Sequence, residues 1–409
     1  MIVMVDIVTF WIYVEHFKLP PIYSSIGFGL GQIFIAFTSL IVGIYSDRLH
    51  GDRKVGRRKI FILIGLPLQS ISFILLFSPH VFLKSQETIL IFLWLCTWSI
   101  CFHVFYAFIN TPYYSLVPEL TMDDERVEIS LYMNIVEVIS GVVGIAFVLI
   151  FVGYISEQGG ITGAAGYLLF ISVIVIVILN FTFFLPMIVT IHEPPKKSDN
   201  NYSINQIKHI LSNKDYSQWL IVLCSFAIAE AVISTLIIDF ATDFLGFDSI
   251  EDLAVFTLIL TGSGIFGYFF WSAISNKKGK NLTLKAGLIC NLFSLPTTIL
   301  LGKIDFISNY NQGLIFAALI GFSFSSVYLL SYAIIADIID NEERKTKINK
   351  SGLYSGFNTI PYNLAQTIGI FISGLIVYNL GIMGPIAAIF IGISLVYSRN
   401  SNFDPFLID

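Results

Sequence analysis

The chain has 409 residues, of which 56% are apolar and 12% charged, and its formal net charge is −5. A soluble domain carries about a quarter charged residues, so a soluble globular fold is excluded, and the small, dispersed charge offers no basic surface for nucleic acid. At about 20 apolar residues per crossing of a 30 Å hydrocarbon layer, this composition supplies about eleven or twelve transmembrane helices and leaves no room for a sizeable soluble domain.

The chain opens on an apolar run at 2–14, which is short for a crossing and lacks the basic flank and small-residue cleavage site of a signal peptide. Longer runs follow at 22–45, 59–83, 88–110, 128–154, 163–189, 218–245, 252–275, 282–302, 312–338, 352–378 and 380–397, making twelve segments. The longest polar stretch, from His192 to Gln218, separates two halves. The expected organisation is a six-helix bundle over 1–190, a cytoplasmic linker over 191–217 with an interfacial helix at 204–211, a second bundle over 218–398 and a cytoplasmic tail over 399–409.

When loops are assigned to alternate sides, one side receives only Lys18, Lys84 and Lys303 of the 23 Lys and Arg residues. Cytoplasmic loops retain cations, so the cation-rich side is cytoplasmic and both termini are expected there. The four cysteines, Cys96, Cys101, Cys224 and Cys290, lie in apolar runs without metal-ligand spacing and read as small core residues.

The halves echo each other. Asp123-Asp124-Glu125-Arg126 recurs as Asn341-Glu342-Glu343-Arg344, and Lys54-Val55-Gly56-Arg57 recurs as Lys277-Lys278-Gly279-Lys280, at offsets of 218 and 223. Two loops repeated at nearly one offset point to a duplicated six-helix unit. The plan resembles the major facilitator superfamily, which implies an all-α integral membrane protein of twelve transmembrane helices in two pseudo-symmetric bundles, with substrate near the midplane.

Three motifs narrow the resemblance. Gly43-Ile-Tyr-Ser46-Asp47-Arg48 with Gly56-Arg57-Arg58-Lys59 resembles the superfamily's loop between helices two and three. Asn110-Thr-Pro112-Tyr113-Tyr-Ser-Leu-Val-Pro118-Glu119-Leu-Thr121 with Asp124-Glu125-Arg126, and Ala336-Asp337-Ile-Ile-Asp340 with Glu343 and Gly352-Leu-Tyr354, resemble the glycoside-pentoside-hexuronide:cation symporters, the melibiose carrier family. The family's paired cation-site carboxylates fall at Ile35 and Ser39, its sugar-contacting carboxylate at Asn110, an arginine at Asn134 and a lysine at Asn363. A further carboxylate would fall upstream of Met1, so a late start is expected. These departures argue against sodium coupling and galactoside recognition.

An ionised side chain at the bilayer centre costs about 2.5–3.5 kcal/mol on insertion scales, so those present should face a partner or a wet cavity. Glu137, on one face with Asn134, Gly141 and Gly144, and Glu230, beside Ser234, are the candidate proton-coupling carboxylates; each also fits a glutamate bonded to a neighbouring helix. A carboxyl in apolar surroundings keeps its proton to higher pH and can couple to a proton gradient without a sodium cage.

Ser99, His103, Tyr106 and Asn110 form a polar stripe on the fourth segment, and Thr359, Asn363 and Gln366 one on the eleventh. With Asn134, Tyr328 and Tyr332, they are the candidate substrate contacts, because a sugar is matched by uncharged hydroxyls, amides and rings. The competing reading is helix-to-helix hydrogen bonding, His103 being a packed residue. Asp47, Arg57 and Arg58 are expected to form a cytoplasmic gating clasp, with Asp337 and Asp340 its counterparts. Asp239 and Asp243 are read as solvated, Asp6 as lying in the first segment, and Gly31, Gly262, Gly264 and Gly267 as sites of close helix approach.

The sequence thus predicts a plasma-membrane secondary transporter, acting as a monomer, that moves a sugar or glycoside with H+. Lysolipid or other amphiphile transport on the same fold is the alternative. No GxSxG, HExxH or CxxC occurs, so an enzyme, a catalytic residue, a metal site or a cofactor is not expected.

Overall fold

The computed structural model of the chain describes residues 5, 9, 12–49, 56–83, 87–157, 164–193, 210–247, 249–347, 349–376 and 378–399. Asp6, Lys54, residues 194–209 of the linker with most of its expected interfacial helix, and the tail beyond Arg399 lie outside the described residues. The long helices are α1 (Pro21–Arg48), α2 (Lys59–Leu76), α3 (Thr88–Leu120), α4 (Arg126–Glu157), α5 (Ala164–Thr190), α6 (Lys214–Asp239), α7 (Ile250–Lys278), α8 (Lys280–Ser294), α9 (Asn309–Thr346), α10 (Ser351–Ile376) and α11 (Met383–Arg399). Among the described residues there is no β-strand, and nine helical stretches are long and apolar enough to span a bilayer. The fifth and eleventh predicted segments are the continuous helices α4 and α10, of 32 and 26 residues.

The two longest helices far exceed a single crossing. With 33 and 38 residues, α3 and α9 are about 50 and 57 Å long at 1.5 Å per residue, against a hydrocarbon layer of about 30 Å. Their charges gather at their C-terminal ends, where Glu119, Asp337 and Asp340 lie. Those ends therefore project from the apolar layer and carry the charge clusters described below.

Contacts divide the chain into two compact units. The first comprises Met1–Leu120, Ile139–Asn200 and Asn349–Thr359; the second comprises Thr121–Val138, Asn201–Ile348 and Ile360–Asp409. The opening turns of α10 thus belong to the first unit and those of α4 to the second.

In the first unit α3 packs along α1 and α2, and α2 along α5. Phe73, Phe77, Leu95, Phe102, Leu169 and Val173 form its apolar centre. The outward face of α5 is equally apolar, with Ile171, Ile178, Phe183 and Val189 exposed, as a lipid-facing surface must be. In the second unit α9 packs on α7 and α8, and α11 on α6 and α8. Lipid tails are as apolar as leucine, so such contacts depend on close packing and on polar bonds between helices. Asn291 of α8 supplies one, donating to the Ser323 carbonyl of α9 at 3.1 Å, and Trp271 of α7 another, donating to the Phe322 carbonyl at 2.9 Å.

Of the glycines expected at helix contacts, Gly31 and Gly267 sit hard against His103 and Ser325, whereas a Cβ at Gly262 would meet nothing within 4 Å. The four cysteines are free and half-buried.

Candidate substrate and gating sites

The first cluster lies in the first unit, where the ends of α1, α2 and α3 meet the start of α10. Arg58 pairs with Asp47 at 2.5 Å and with Glu119 at 2.8 Å, donates to Ser351 Oγ at 2.6 Å, and bonds Ser46 Oγ. Arg57 pairs with Glu119 at 2.5 Å and donates to Asn349 Oδ1 at 2.9 Å. All four charged side chains are buried, so two guanidiniums neutralise two carboxylates with no bulk water to share the work. Burial alone would loosen the proton on Arg58, but Glu119 and Asp47 reverse this and raise its pKa above the ordinary value.

The same Asp47 carboxylate accepts the backbone N–H groups of Gly352 and Leu353 at 3.0 and 2.8 Å. A helix leaves its first N–H groups unpaired and positive in character. Asp47 therefore caps α10 from another helix. The approach requires glycine: a Cβ at Gly352 would lie 2.4 Å from the Gly43 carbonyl oxygen. Glu193, just past α5, caps α2 in the same manner, accepting from the backbone N–H of Arg57, Arg58 and Lys59 at 2.8, 2.9 and 2.8 Å.

The second cluster lies in the second unit. Asp337 accepts from Arg126 and from Lys280, each at 2.6 Å. Lys280 also pairs with Asp123 at 2.9 Å, and Asp340 lies 3.5 Å from Arg126 and 3.1 Å from Arg344. Burial pushes the Asp123 carboxyl up, but its hydrogen bonds with Asp337 and Lys280 and the charges of Lys280 and Arg126 prevail and hold it below the ordinary value. The cluster borders an open cavity of about 580 Å³ lined by Asp124, Lys277 and Lys278 among others.

The repeated loop now acquires a geometric meaning. Gly56 and Gly279, which occupy equivalent places in the echo, have φ of 87° and 85°, a region open to glycine and strained for other residues. Each delivers a cation, Arg57 or Lys280, into its own carboxylate cluster. The expected clasp residues Asp47, Arg57 and Arg58 are thus together in one cluster, and Asp337 and Asp340 together in the other.

The third cluster, also in the second unit, contains the carboxylates of Glu137 and Glu230. Glu230 of α6 accepts from Gln366 Nε2 of α10 at 3.1 Å and hydrogen-bonds Tyr328 of α9. Gln366 also donates to Tyr362 Oη at 3.2 Å. Glu137 of α4 accepts from Tyr332 Oη of α9 at 3.4 Å, and Tyr268 of α7 and Tyr362 lie within its electrostatic reach. Asn134, one turn before Glu137, donates to the Ser130 and Tyr328 carbonyls at 2.7 and 3.4 Å. Glu137 is exposed, and Glu230, Tyr328, Tyr332, Tyr362 and Gln366 are half-buried.

The other stripe residues are placed differently. His103 is fully buried in the contact of α3 with α1: its Nδ1 donates to the Ser99 carbonyl at 2.8 Å, and Phe28 and Phe102 meet its ring edge-on. Tyr106 and Asn110 are half-buried on the same helix. Thr359 donates to the Ser355 carbonyl at 3.4 Å, and Asn363 is half-buried one turn further on. Several members of these clusters are not among the residues the sequence singles out: Tyr362, although it lies four residues before Gln366 on the same face; Tyr268, which sits in an apolar run; Glu119 and Arg126, which stand only within the motifs; and Glu193 and Lys280.

The family described as MFS/sugar transport protein matches residues 1–392 of the chain. The chain is 27% identical over 387 residues to the uncharacterized symporter YjmB of Bacillus subtilis (strain 168), covering 90% of this chain and 76% of that protein. It is 23% identical over 390 residues to a putative sulfoquinovose importer of Salmonella typhimurium, covering 92% and 77%. Among solved structures, a bacterial homologue of the iron transporter ferroportin in an outward-facing state aligns with a TM-score of 0.72 at 12% identity, covering 97% of this chain and 94% of that one. A variant of the E. coli fucose:proton symporter FucP aligns with a TM-score of 0.69 at 12% identity, covering 97% of each chain. At such identity the two structures establish the fold alone.

Proposed function

We propose that this chain, which belongs to the MFS/sugar transport protein family, moves a sugar or glycoside together with protons by alternating access. The chain is a multi-pass membrane protein and a secondary transporter, not an enzyme. The observation that carries the sugar and proton reading is the third cluster, in which Glu137 and Glu230 meet tyrosine hydroxyls and an amide. Hydroxyls and amides match a sugar's donors and acceptors without burying a new charge. The carboxylates provide a place for a proton inside the hydrocarbon layer, where an ionisable group is costly to keep without a role.

Gating falls to the first two clusters. Their bonds join the opening turns of α10 to α1–α3 and the opening turns of α4 to α8 and α9, so a state in which these ends separate must break the bonds. Substrate and proton then shift the balance between states only by their differential affinity. On this reading the clusters mark the cytoplasmic side, both termini are cytoplasmic, the membrane is the plasma membrane and the transporter works as a monomer. The names of the relatives, an uncharacterized symporter and a putative sulfoquinovose importer, support a sugar as the solute class, although the second names a sulfonated sugar.

The test is uptake of radiolabelled sugars into proteoliposomes, with and without an inward proton gradient. Saturable uptake of at least one sugar, accelerated by the gradient and lost in Glu137→Gln, is expected. Absence of saturable uptake across the panel, with protein shown to be folded, refutes the sugar assignment.

A further inference from the structure

We infer that the third cluster admits uncharged sugars and excludes anionic ones, so that the solute is a neutral polyhydroxylated molecule. The inference rests on the sugar reading above and adds charge selectivity to it.

Two carboxylates, Glu137 and Glu230, stand among Tyr328, Tyr332, Tyr362 and Gln366. What matters is how far away the cations are. On α4, Arg126 lies eleven positions from Glu137, which at 1.5 Å per residue is about 16 Å along the axis. On α6, Lys214 lies sixteen positions from Glu230, about 24 Å; on α9, Arg344 lies twelve from Tyr332, about 18 Å; on α7, Lys277 lies nine from Tyr268, about 13 Å. Helix α10 contains no Lys or Arg. Across the whole sequence, every Lys and Arg falls near the end of an apolar run or between runs. Arg126 and Lys280 are, moreover, already engaged by Asp337.

A sugar carboxylate or sulfonate entering this cluster would lose its water and find no cation to replace it. If the glutamates are ionised it also meets two like charges, which costs several kcal/mol at short range; if they are protonated, only uncharged hydroxyl and amide donors replace the hydration of a full negative charge. The penalty on an anion is thus largest with the glutamates ionised and smaller, with no counter-charge, when they are protonated. A neutral sugar pays neither cost, and its hydroxyls are satisfied by the carboxylates, the tyrosines and the amide.

The experiment is ligand-induced thermal stabilisation of the purified full chain, read as Kd, with stereochemically matched probes: each of a set of hexoses against its hexuronate and its 6-sulfo derivative. The expected result is that the best-bound neutral hexose binds at least about tenfold more tightly than its two anionic counterparts, a gap of about 1.4 kcal/mol. Comparable binding, or tighter binding of either anion, overturns the charge selectivity while leaving the sugar reading intact. If no member of any set binds to protein that melts cooperatively, the sugar reading itself fails and the inference falls with it.

Discussion

Asp47→Ala is the most informative single substitution in the two clusters proposed to gate transport, because one carboxylate there serves two structural purposes. It pairs with buried Arg58 at 2.5 Å and accepts the N–H groups of Gly352 and Leu353 at 3.0 and 2.8 Å. Deleting one member of a buried pair costs about 3–5 kcal/mol, and loss of a helix cap about 1 kcal/mol. Arg58 keeps Glu119 at 2.8 Å and Ser351 at 2.6 Å, so the lower end, about 3 kcal/mol in all, is the appropriate figure. If these bonds exist in only one of two transport states, that energy shifts the equilibrium roughly 150-fold towards the other. The assay is the labelling rate of a cysteine placed at Ser355, half-buried on α10, by a membrane-impermeant thiol reagent in a background lacking the native cysteines. Labelling should accelerate at least about tenfold in Asp47→Ala, and less in Asp47→Asn, which retains one acceptor for the backbone. Unchanged labelling together with an unchanged melting temperature would refute the reasoning.

Four further outcomes follow. Gly352→Ala would bring a Cβ to 2.4 Å from the Gly43 carbonyl oxygen, and overpacking of this kind costs about 1–3 kcal/mol, so its melting temperature should fall by several degrees. Glu193→Ala removes the acceptor shared by three N–H groups of α2 and should likewise lower the melting temperature, whereas Glu193→Gln should recover part of the loss. Asp123 is held below its ordinary value, so its stabilising contribution is fully present above about pH 3.9 and is lost as pH falls through its lower folded value. The melting-temperature gap between wild type and Asp123→Asn should accordingly be constant near neutrality and close only in strong acid. Gln366→Leu deprives Glu230 of an amide donor and Tyr362 of the Gln366 contact; uptake should fall at least about tenfold, as expected when a half-buried carboxylate loses a hydrogen bond worth about 1.5–3 kcal/mol, without loss of expression.

The long helices were legible because hydropathy alone dictates which stretches enter lipid, and because loops with alternating cation content leave one consistent threading. Asp47, Arg57 and Arg58 were legible as a group because the loop motif carries them together. What the sequence could not convey was which helix end each charge meets. That Asp47 caps α10 depends on Gly43 and Gly352 admitting the two backbones to each other, a contact between residues more than 300 positions apart. Glu193 was hidden for a similar reason, since a cap acting from a distant segment leaves no local signature. Tyr268 reads as one more aromatic in an apolar run, indistinguishable from packing until Glu137 is found nearby. His103 shows the opposite failure: a polar residue on a polar stripe draws attention, but Gly31 on α1 receives its ring, and nothing in the spacing on α3 reveals that partner.

The central claim is that the solute and the proton meet at Glu137 and Glu230. It is tested most directly by recording proton entry with a trapped pH dye when sugar is added to proteoliposomes, alongside sugar exchange at equal pH. Wild type should acidify the lumen in step with uptake, whereas Glu137→Gln and Glu230→Gln should lose acidification and gradient-driven accumulation, with exchange surviving in at least one of them. Undiminished sugar-dependent acidification in both variants would contradict the account.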